Sequence, residues 1–408
     1  PDLRPVQTVK PERLVMPNGI VVYLLEDHSL PVVSGTAYFP SGPGLIPDDK
    51  AGLGSLTGEV MRSGGSAAKA GDWLDDRLAA IGASISTSLS SDLATGGFRC
   101  LAENVSEVVG LWAEVLRAPA FPDDKIELSK VGLRRSIAER NDEMTGILFR
   151  VASEAVYGPG NPYARKPEYA TVEAIGPEDC RTLHRGVFVP NRMVLAVYGD
   201  FRSADMKKLL AASLGPWAKS ATPAPMPGPD PVRAPARIRF APKDDVTQSG
   251  IVVAETGSRA DDPDYAALQV METALGGSFQ SRLFNRIRTQ RGLAYATGAN
   301  AGTNWRRPGV FYAYSLTKSE STMVALDLLR EELRRIIEEP LSADELKSAK
   351  QSVQNGFVFN FEQPSQVLFR SAFYEVNGYP ADFLDRYQKA LAGVDAKAVL
   401  DASRRKIH

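Results

Sequence analysis

Residues 276–300 read GGSFQSRLFNRIRTQRGLAYATGAN, a basic amphipathic helix that turns at a glycine directly into a strand. Leu283, Phe284 and Ile287 recur at helical spacing, Ser278 or Ser281 stands where an N-cap hydroxyl accepts from orphan backbone amides, and Gly292 supplies the left-handed stop. Beyond Gly292 the period falls to two. Leu293, Tyr295, Thr297 and Ala299 then share one strand face, with Ala294, Ala296 and Gly298 on the other. Two side chains carry chemistry here: Arg288, near the helix end beside the apolar stripe, and Tyr295, early in the strand. From pattern alone the stretch equally fits a solvated basic face of Arg282, Arg286, Arg288 and Arg291, followed by a strand whose tyrosine packs in the core.

The surrounding chain bounds the answer. At 408 residues, 43% hydrophobic and 24% charged, it is long enough for two domains with full cores. A formal charge of -1 gives no electrostatic reason to expect nucleic acid or an anionic membrane as partner. Apolar runs of spanning length are absent, so no membrane insertion is expected. The sequence opens on Pro1, which leaves a removed signal peptide open. Two cysteines, Cys100 and Cys180, lie too far apart for a metal motif and read as buried free thiols. Three histidines, His28, His184 and His408, are scattered, and none has a second histidine at helical spacing.

Outward from the opening stretch, the text alternates helices and strands without regular βαβ units. Residues 16–39 read as a hairpin-like pair of strands, with His28 a surface residue of the connecting loop. Helices are expected over 52–61, over 72–82, over 104–117, and from the acidic pair Asp123 and Asp124 through Glu143. A helix from Pro177 leads to a strand over 193–198 and another helix to Leu214. Residues 219–237, KSATPAPMPGPDPVRAPAR, are rich in Pro and Ala and form an extended linker. A strand over 250–254 then opens a second half. LRAPAFPDDKI around Pro119 is echoed by IIEEPLSADEL around Pro340, about half a chain later, as a duplicated domain would give. Gly276 and Gly277 read as a turn that lets a helix pack closely on a sheet rather than as a phosphate loop.

Residues 282–299, RLFNRIRTQRGLAYATGA, resemble the second-domain signature of the pitrilysin-like zinc metallopeptidases, the family of insulin-degrading enzyme and the mitochondrial processing peptidase. The resemblance covers nearly the whole chain, from about residue 14 to about residue 400. It implies an α+β architecture, the mitochondrial processing peptidase-like metallohydrolase fold. Two related α/β halves, each a mostly antiparallel sheet with helices packed on it, would close like a clam around the substrate. The expected boundaries are an N-terminal domain over 1–218, the linker over 219–237 and a C-terminal domain over 238–408. Arg288 and Tyr295 fall on the family's arginine and tyrosine, which hold substrate from the half without zinc.

The same resemblance exposes a loss. The family's inverted motif H-x-x-E-H follows a Gly-Leu-Ala helix start, with two histidine ligands one turn apart and a glutamate that activates water. Reading on from Gly52 and Leu53, the five positions are Ser55, Leu56, Thr57, Gly58 and Glu59. The third ligand, a glutamate on a later helix, falls at Arg135 or Ser136 in LRRSIAERNDEM. Ser55, Gly58 and Glu59 are thus degenerate zinc-site positions, no metal or other cofactor is expected in this chain, and the sequence carries no other recognisable catalytic set.

In bacterial and organellar members of this family the work can be divided between two chains, and this one resembles the kind that keeps Arg and Tyr after losing zinc. The expectation is a non-catalytic, substrate-binding subunit of a heterodimeric zinc metallopeptidase that degrades unfolded peptides. Its partner would be a homologue with an intact H-x-x-E-H motif and zinc. The alternative is a structural or assembly subunit with no role in proteolysis. A bacterial periplasm is the expected compartment, with the cytoplasm as the alternative.

Overall fold

The computed structural model describes residues 10–232, 235–361 and 363–408. The chain forms two compact units, and neither is continuous in sequence. One comprises residues up to Ile137 together with Lys166–Gly228 and Asn360–Ala381. The other comprises Ala138–Arg165, Pro229–Phe359 and Asp382–His408. The chain passes between them within the expected linker, but the continuous halves 1–218 and 238–408 do not describe them. Each unit takes one helical segment from the sequence half that otherwise builds the other.

The first unit is built on a six-stranded sheet. Its strands are β1 (Glu12–Val15), β2 (Val21–Glu26), β3 (Val32–Pro40), β4 (Ser84–Leu89), β5 (Leu93–Leu101) and β6 (Val194–Gly199), in the spatial order β1-β2-β6-β3-β5-β4. The expected hairpin over 16–39 does not form. Strand β6 lies between β2 and β3, parallel to the first and antiparallel to the second. Its sequence VLAVYG explains why. Residues on both of its faces are apolar, so it is stable only at the centre of a sheet with cover on both sides.

On one face Leu195 and Val197 join a core that holds Phe39, Trp112, Phe121 and Phe188, each at most 2% exposed. On the other, Val194 and Ala196 pack with Tyr23 against Leu368 and Ala372 of the helix Pro364–Val376. Arg13 fixes that helix by donating to both Glu375 oxygens, at 2.9 and 2.6 Å, and the Tyr23 hydroxyl donates to the same carboxylate.

Helix Leu53–Ser63 buries Leu53, Leu56, Val60 and Met61 and lies on β4. The closest approach is at Gly58. A Cβ there would stand 2.4 Å from the Leu89 backbone nitrogen and 2.8 Å from the Ser88 carbonyl carbon. Thr87 Oγ1 donates to the Gly58 carbonyl at 2.5 Å.

The second unit has a three-stranded antiparallel sheet of β7 (Gln248–Thr256), β8 (Ala294–Asn300) and β9 (Val310–Lys318), ordered β8-β9-β7. Helices Tyr265–Leu275, Thr322–Glu338, Ala343–Val358 and Ala396–Lys406 build its core. The echo around Pro119 and Pro340 marks equivalent helix pairs, Val105–Arg117 with Asp123–Ala138 and Thr322–Glu338 with Ala343–Val358. The helix from Asp123 stops at Ala138, short of the expected Glu143.

Helix Met144–Tyr157 packs on this sheet, with Phe149 4.9 Å from Tyr312 and 5.4 Å from Tyr314 between ring centroids. Arg307 lies over Tyr163 and Tyr157, at 3.9 and 5.0 Å, and the Tyr157 hydroxyl donates to the Pro308 carbonyl at 2.9 Å.

Two predictions follow from this packing. Hydrogen bonds from Arg13 and then Tyr23 hold the Glu375 carboxyl below its ordinary range despite burial. Its charged form therefore stabilises the fold fully above the unfolded glutamate value of about 4.3, and that contribution is lost as pH falls through the lower folded value. Arg13 is nearly half exposed, so solvent screening limits the pair, and Glu375→Gln should cost about 1–2 kcal/mol at pH 7. Urea denaturation should show that deficit shrinking at pH 3. Gly58→Ala should lose about 1–3 kcal/mol by forcing strand and helix apart, although alanine is the better helix former. The exposed Ser55→Ala, in the same helix, should change stability by less than about 0.5 kcal/mol.

Candidate functional site

Arg288 and Tyr295 sit on one continuous piece of backbone that departs from ideal geometry twice. Residues Phe284–Thr289 form a π-helical turn, wider than an α-helix, with the Gln290 amide reaching the Asn285 carbonyl at 2.9 Å. Gly292, at φ 61°, reverses the chain into β8. Within β8 the register to β9 slips between Ala294 and Ala296, so Tyr295 is the extra residue of a β-bulge. The strict alternation expected after Gly292 is broken there. Ala294 and Ala299 both enter the core, whereas Tyr295 is 74% exposed.

Neither serine caps this helix through its hydroxyl. The Ser278 Oγ donates to the Thr273 carbonyl, and the buried Ser281 Oγ has no hydrogen-bond partner among the described residues. Gly276 does have the expected packing role, because a Cβ there would lie 2.1 Å from the Ala299 amide nitrogen.

Charge pairing sorts the four arginines: among the described residues Arg282 and Arg286 are in ion pairs, whereas the exposed Arg288 and Arg291 are in none. Arg282 is buried and donates to both oxygens of Glu345, at 2.7 and 3.0 Å. Burial disfavours the charged Glu345, but the Arg282 guanidinium and the Ser342 amide outweigh it and hold the carboxyl down at about 2. Arg286 reaches Glu331 at 3.2 Å and the buried Glu332 at 3.8 Å. Among the described residues Arg288 makes no ion pair. Its guanidinium lies 4.8 Å from the centroid of Phe284, whose ring meets Phe279 edge-on at 5.0 Å.

The basic-face alternative fails at both ends, since Arg282 is buried and paired and the tyrosine lies outside the core. What sequence reasoning missed is Phe279. It is 78% exposed, and the only signal was its position two residues past the paired glycines.

The degenerate positions lie on Leu53–Ser63. The exposed Ser55 donates its hydroxyl to the Gly52 carbonyl at 3.1 Å, and Glu59 accepts from the Ser129 hydroxyl at 2.8 Å. Gly58 has no room for a side chain. Arg135 and Ser136 are exposed on Asp123–Ala138. Among the described residues no group of three or more His, Cys, Asp or Glu could hold a metal ion. One carboxylate without an imidazole or thiolate beside it does not fit zinc.

The histidines are committed elsewhere. His28 lies in an exposed loop 2.6 Å from Asp200, whose hydrogen bond raises its pKa. His184 is buried, donates to the Leu116 carbonyl at 2.8 Å and stacks on Phe188, and burial pushes its pKa down to about 4. His408 meets Glu255 at 3.2 Å. Both cysteines are free and buried, and burial pushes the Cys100 thiol up to about 11.

Comparison with known proteins agrees with this picture. The family model described as Insulinase (Peptidase family M16) matches residues 24–165, and that of the Peptidase M16 inactive domain matches residues 174–353. An uncharacterized zinc protease of Streptomyces coelicolor is 24% identical over 67% of this chain, and one of Mycobacterium leprae is 26% identical over 66%. The matches span 60% and 61% of the length of those two relatives. The non-peptidase homolog YmxG of Helicobacter pylori is 23% identical over 92% of this chain and 86% of its own.

Among solved structures, a peptidase M16 inactive domain from Pseudomonas fluorescens superposes with a TM-score of 0.86 at 20% identity, covering 98% of this chain and 95% of its own. The periplasmic protease PqqL from Escherichia coli does so with a TM-score of 0.80 at 15% identity, over 98% of this chain and 45% of its own. Two models of one family account for most of the chain, the fold is that of its solved members, and the zinc positions are replaced; the chain therefore belongs to peptidase family M16, the pitrilysin-like metallopeptidases, as a member of the non-catalytic type.

Proposed function

We propose that this chain is the substrate-binding subunit of a heterodimeric peptidase that degrades unfolded peptides, with zinc held by a second, H-x-x-E-H-bearing chain. The observation that carries the reading is the state of Arg288. It is exposed and, among the described residues, has no carboxylate partner, and it stands seven residues ahead of a tyrosine that a bulge turns outward.

A guanidinium kept free of carboxylates remains available to an incoming acceptor, and its planar fork keeps direction as well as charge. Attack on a peptide carbonyl builds negative charge on its oxygen. Arg288 and the Tyr295 hydroxyl would donate charge-assisted hydrogen bonds to that oxygen or to the neighbouring substrate carbonyl. Both donors act on main-chain groups, which every peptide offers, so an unfolded chain suits them better than a fixed sequence. The metal and the attacking water belong to the partner.

The proposed compartment is the periplasm. One protein of this fold is a periplasmic protease, and among the described residues no helix is long and apolar enough to cross a membrane.

Peptidase activity on an unfolded peptide tests the reading, comparing this chain alone, a zinc-bearing homologue from the same source alone, and the mixture. Cleavage should appear only in the mixture. Arg288→Ala and Tyr295→Phe should each lower kcat/KM on the order of a hundredfold while the heterodimer still forms by gel filtration. A homologue equally active alone, or variants without effect, would leave an assembly subunit as the function.

A further inference from the structure

Arg282 and Arg286 commit their guanidinium donors to carboxylates. Nε and Nη2 of Arg282 go to Glu345, and Nη2 of Arg286 goes to Glu331. Arg288 is held differently. Its guanidinium lies over the ring of Phe284, 4.8 Å from the centroid, and among the described residues it makes neither an ion pair nor a hydrogen bond. An aromatic face attracts a cation through the negative charge of its π system and takes up no N–H group. The in-plane donors of the fork therefore stay available while one of its faces is occupied.

Sequence and backbone together make that contact. Helical side chains lean toward the N-terminus, so residue 288 leans back over the residue four before it, which is Phe284. Both belong to the π-helical turn Phe284–Thr289, closed where the Gln290 amide meets the Asn285 carbonyl. Leu283 and Ile287 on either side are wholly in the core, whereas Phe284 is half-buried and Arg288 exposed.

Phe279 fixes the Phe284 ring in turn. The two rings meet edge-on, 5.0 Å between centroids and 80° between planes. The loop that carries Phe279 is rooted on β8, the strand that carries Tyr295. Gly276 sits so close to that strand that a Cβ would lie 2.1 Å from the Ala299 amide nitrogen, and the Gly276 and Gly277 amides both donate to the Glu272 carbonyl at 2.9 Å. Because Phe279 is largely exposed, its ring adds little to the core, and its aromatic contact is with the ring beneath Arg288.

We propose that Phe284 is a positioning residue for Arg288, with Phe279 buttressing its ring: the aromatic face holds the guanidinium in one orientation without consuming a donor, so that the N–H fork is presented to a substrate carbonyl. The inference rests on the reading of Arg288 as a substrate-binding residue. A carboxylate in place of the ring would hold the arginine too, but on the donors that the substrate needs. Both phenylalanines act through Arg288, and neither is assigned a contact with the reacting atoms.

Steady-state cleavage of an unfolded peptide by the mixture of this chain with its zinc-bearing homologue tests it. Phe284→Leu keeps an apolar side chain without a π face and should lower kcat/KM about fivefold, whereas Phe284→Tyr should restore most of the loss. Phe279→Leu, at an exposed position, should give a smaller loss in the same direction. In an Arg288→Ala background Phe284→Leu should change kcat/KM by less than about twofold, because the ring acts only through the arginine. Without any partner, the Arg288 side-chain protons, assigned by their loss in Arg288→Ala, should show an upfield ring-current shift in the NMR spectrum that disappears in Phe284→Leu and persists in Phe284→Tyr. Absence of that shift, full activity of Phe284→Leu, an equal loss with and without Arg288, or failure of Phe284→Leu to form the heterodimer by gel filtration would overturn the positioning role. Arg288→Ala costing activity while Phe284→Leu costs none would sink this inference alone. Arg288→Ala without effect would sink the reading beneath it, and this inference with it.

Discussion

A sheet with apolar residues on both faces must be covered on both faces, and in this chain the second cover is not local. Strand β6 can sit between β2 and β3 only because helix Pro364–Val376, far along the sequence, closes the face that Val194 and Ala196 present. Burying Leu368 contributes on the order of 2 kcal/mol. That term is non-directional, so it does not choose one angle for the helix. Direction comes from Arg13 and Tyr23 converging on Glu375, which pins the helix end to β1 and β2. In the second unit Arg307 does comparable work, lying over the rings of Tyr157 and Tyr163. Each fastening joins residues more than a hundred positions apart or on separate elements, so neither unit is complete until both sequence halves have been made.

The candidate site depends on a second constraint. A π-helical turn and a bulge are less stable than the regular helix and strand they replace, so something must hold them. Leu283 and Ile287 bury one side of the turn completely, and Arg282 and Arg286 tie it to Glu345, Glu331 and Glu332 on the long helices. Removing Glu345 would leave the buried Arg282 charge uncompensated, which is why such a pair fixes position more than it adds stability. With Arg282 and Arg286 consumed in anchoring, Arg288 makes no ion pair among the described residues and lies over Phe284, and the bulge leaves Tyr295 outside the core. Exposure of both side chains is thus a product of how tightly their neighbours are held.

Much of this was legible in sequence, and the limits are physical. Helix starts at Pro177 and after Pro122, the stop at Gly292, and the duplication read from Pro119 and Pro340 all rest on local backbone chemistry, which travels with the residue. The 16–39 hairpin failed because strand pairing is not local. Two apolar runs with turn residues between them look the same whether they pair with each other or with a third strand from residue 194 onward. Continuous domain boundaries failed for the same reason, since nothing within Met144–Tyr157 or Pro364–Val376 says which sheet it covers. The bulge at Tyr295 was invisible because a single extra residue shifts every later face without changing composition. Phe279 was missed because an aromatic residue beside an apolar stripe reads as core by default.

Gly58 bears on whether the first unit merely lacks zinc or is built without room for it. Substitutions at Ser55 or Glu59 would alter exposed side chains and leave the backbone alone. Position 58 is different. There the helix approaches β4 so closely that Leu89 nitrogen occupies the space a Cβ would need, and Thr87 is hydrogen-bonded to the Gly58 carbonyl. Where the family motif places its water-activating glutamate, this chain has closed the gap between helix and strand. Restoring the glutamate would require the two elements to separate, at the expense of core contacts made by Leu56 and Val60. The loss is therefore built into the packing of the first unit, whereas the outward-facing residues lie in the second, where Arg288 and Tyr295 are held by contacts that owe nothing to that helix.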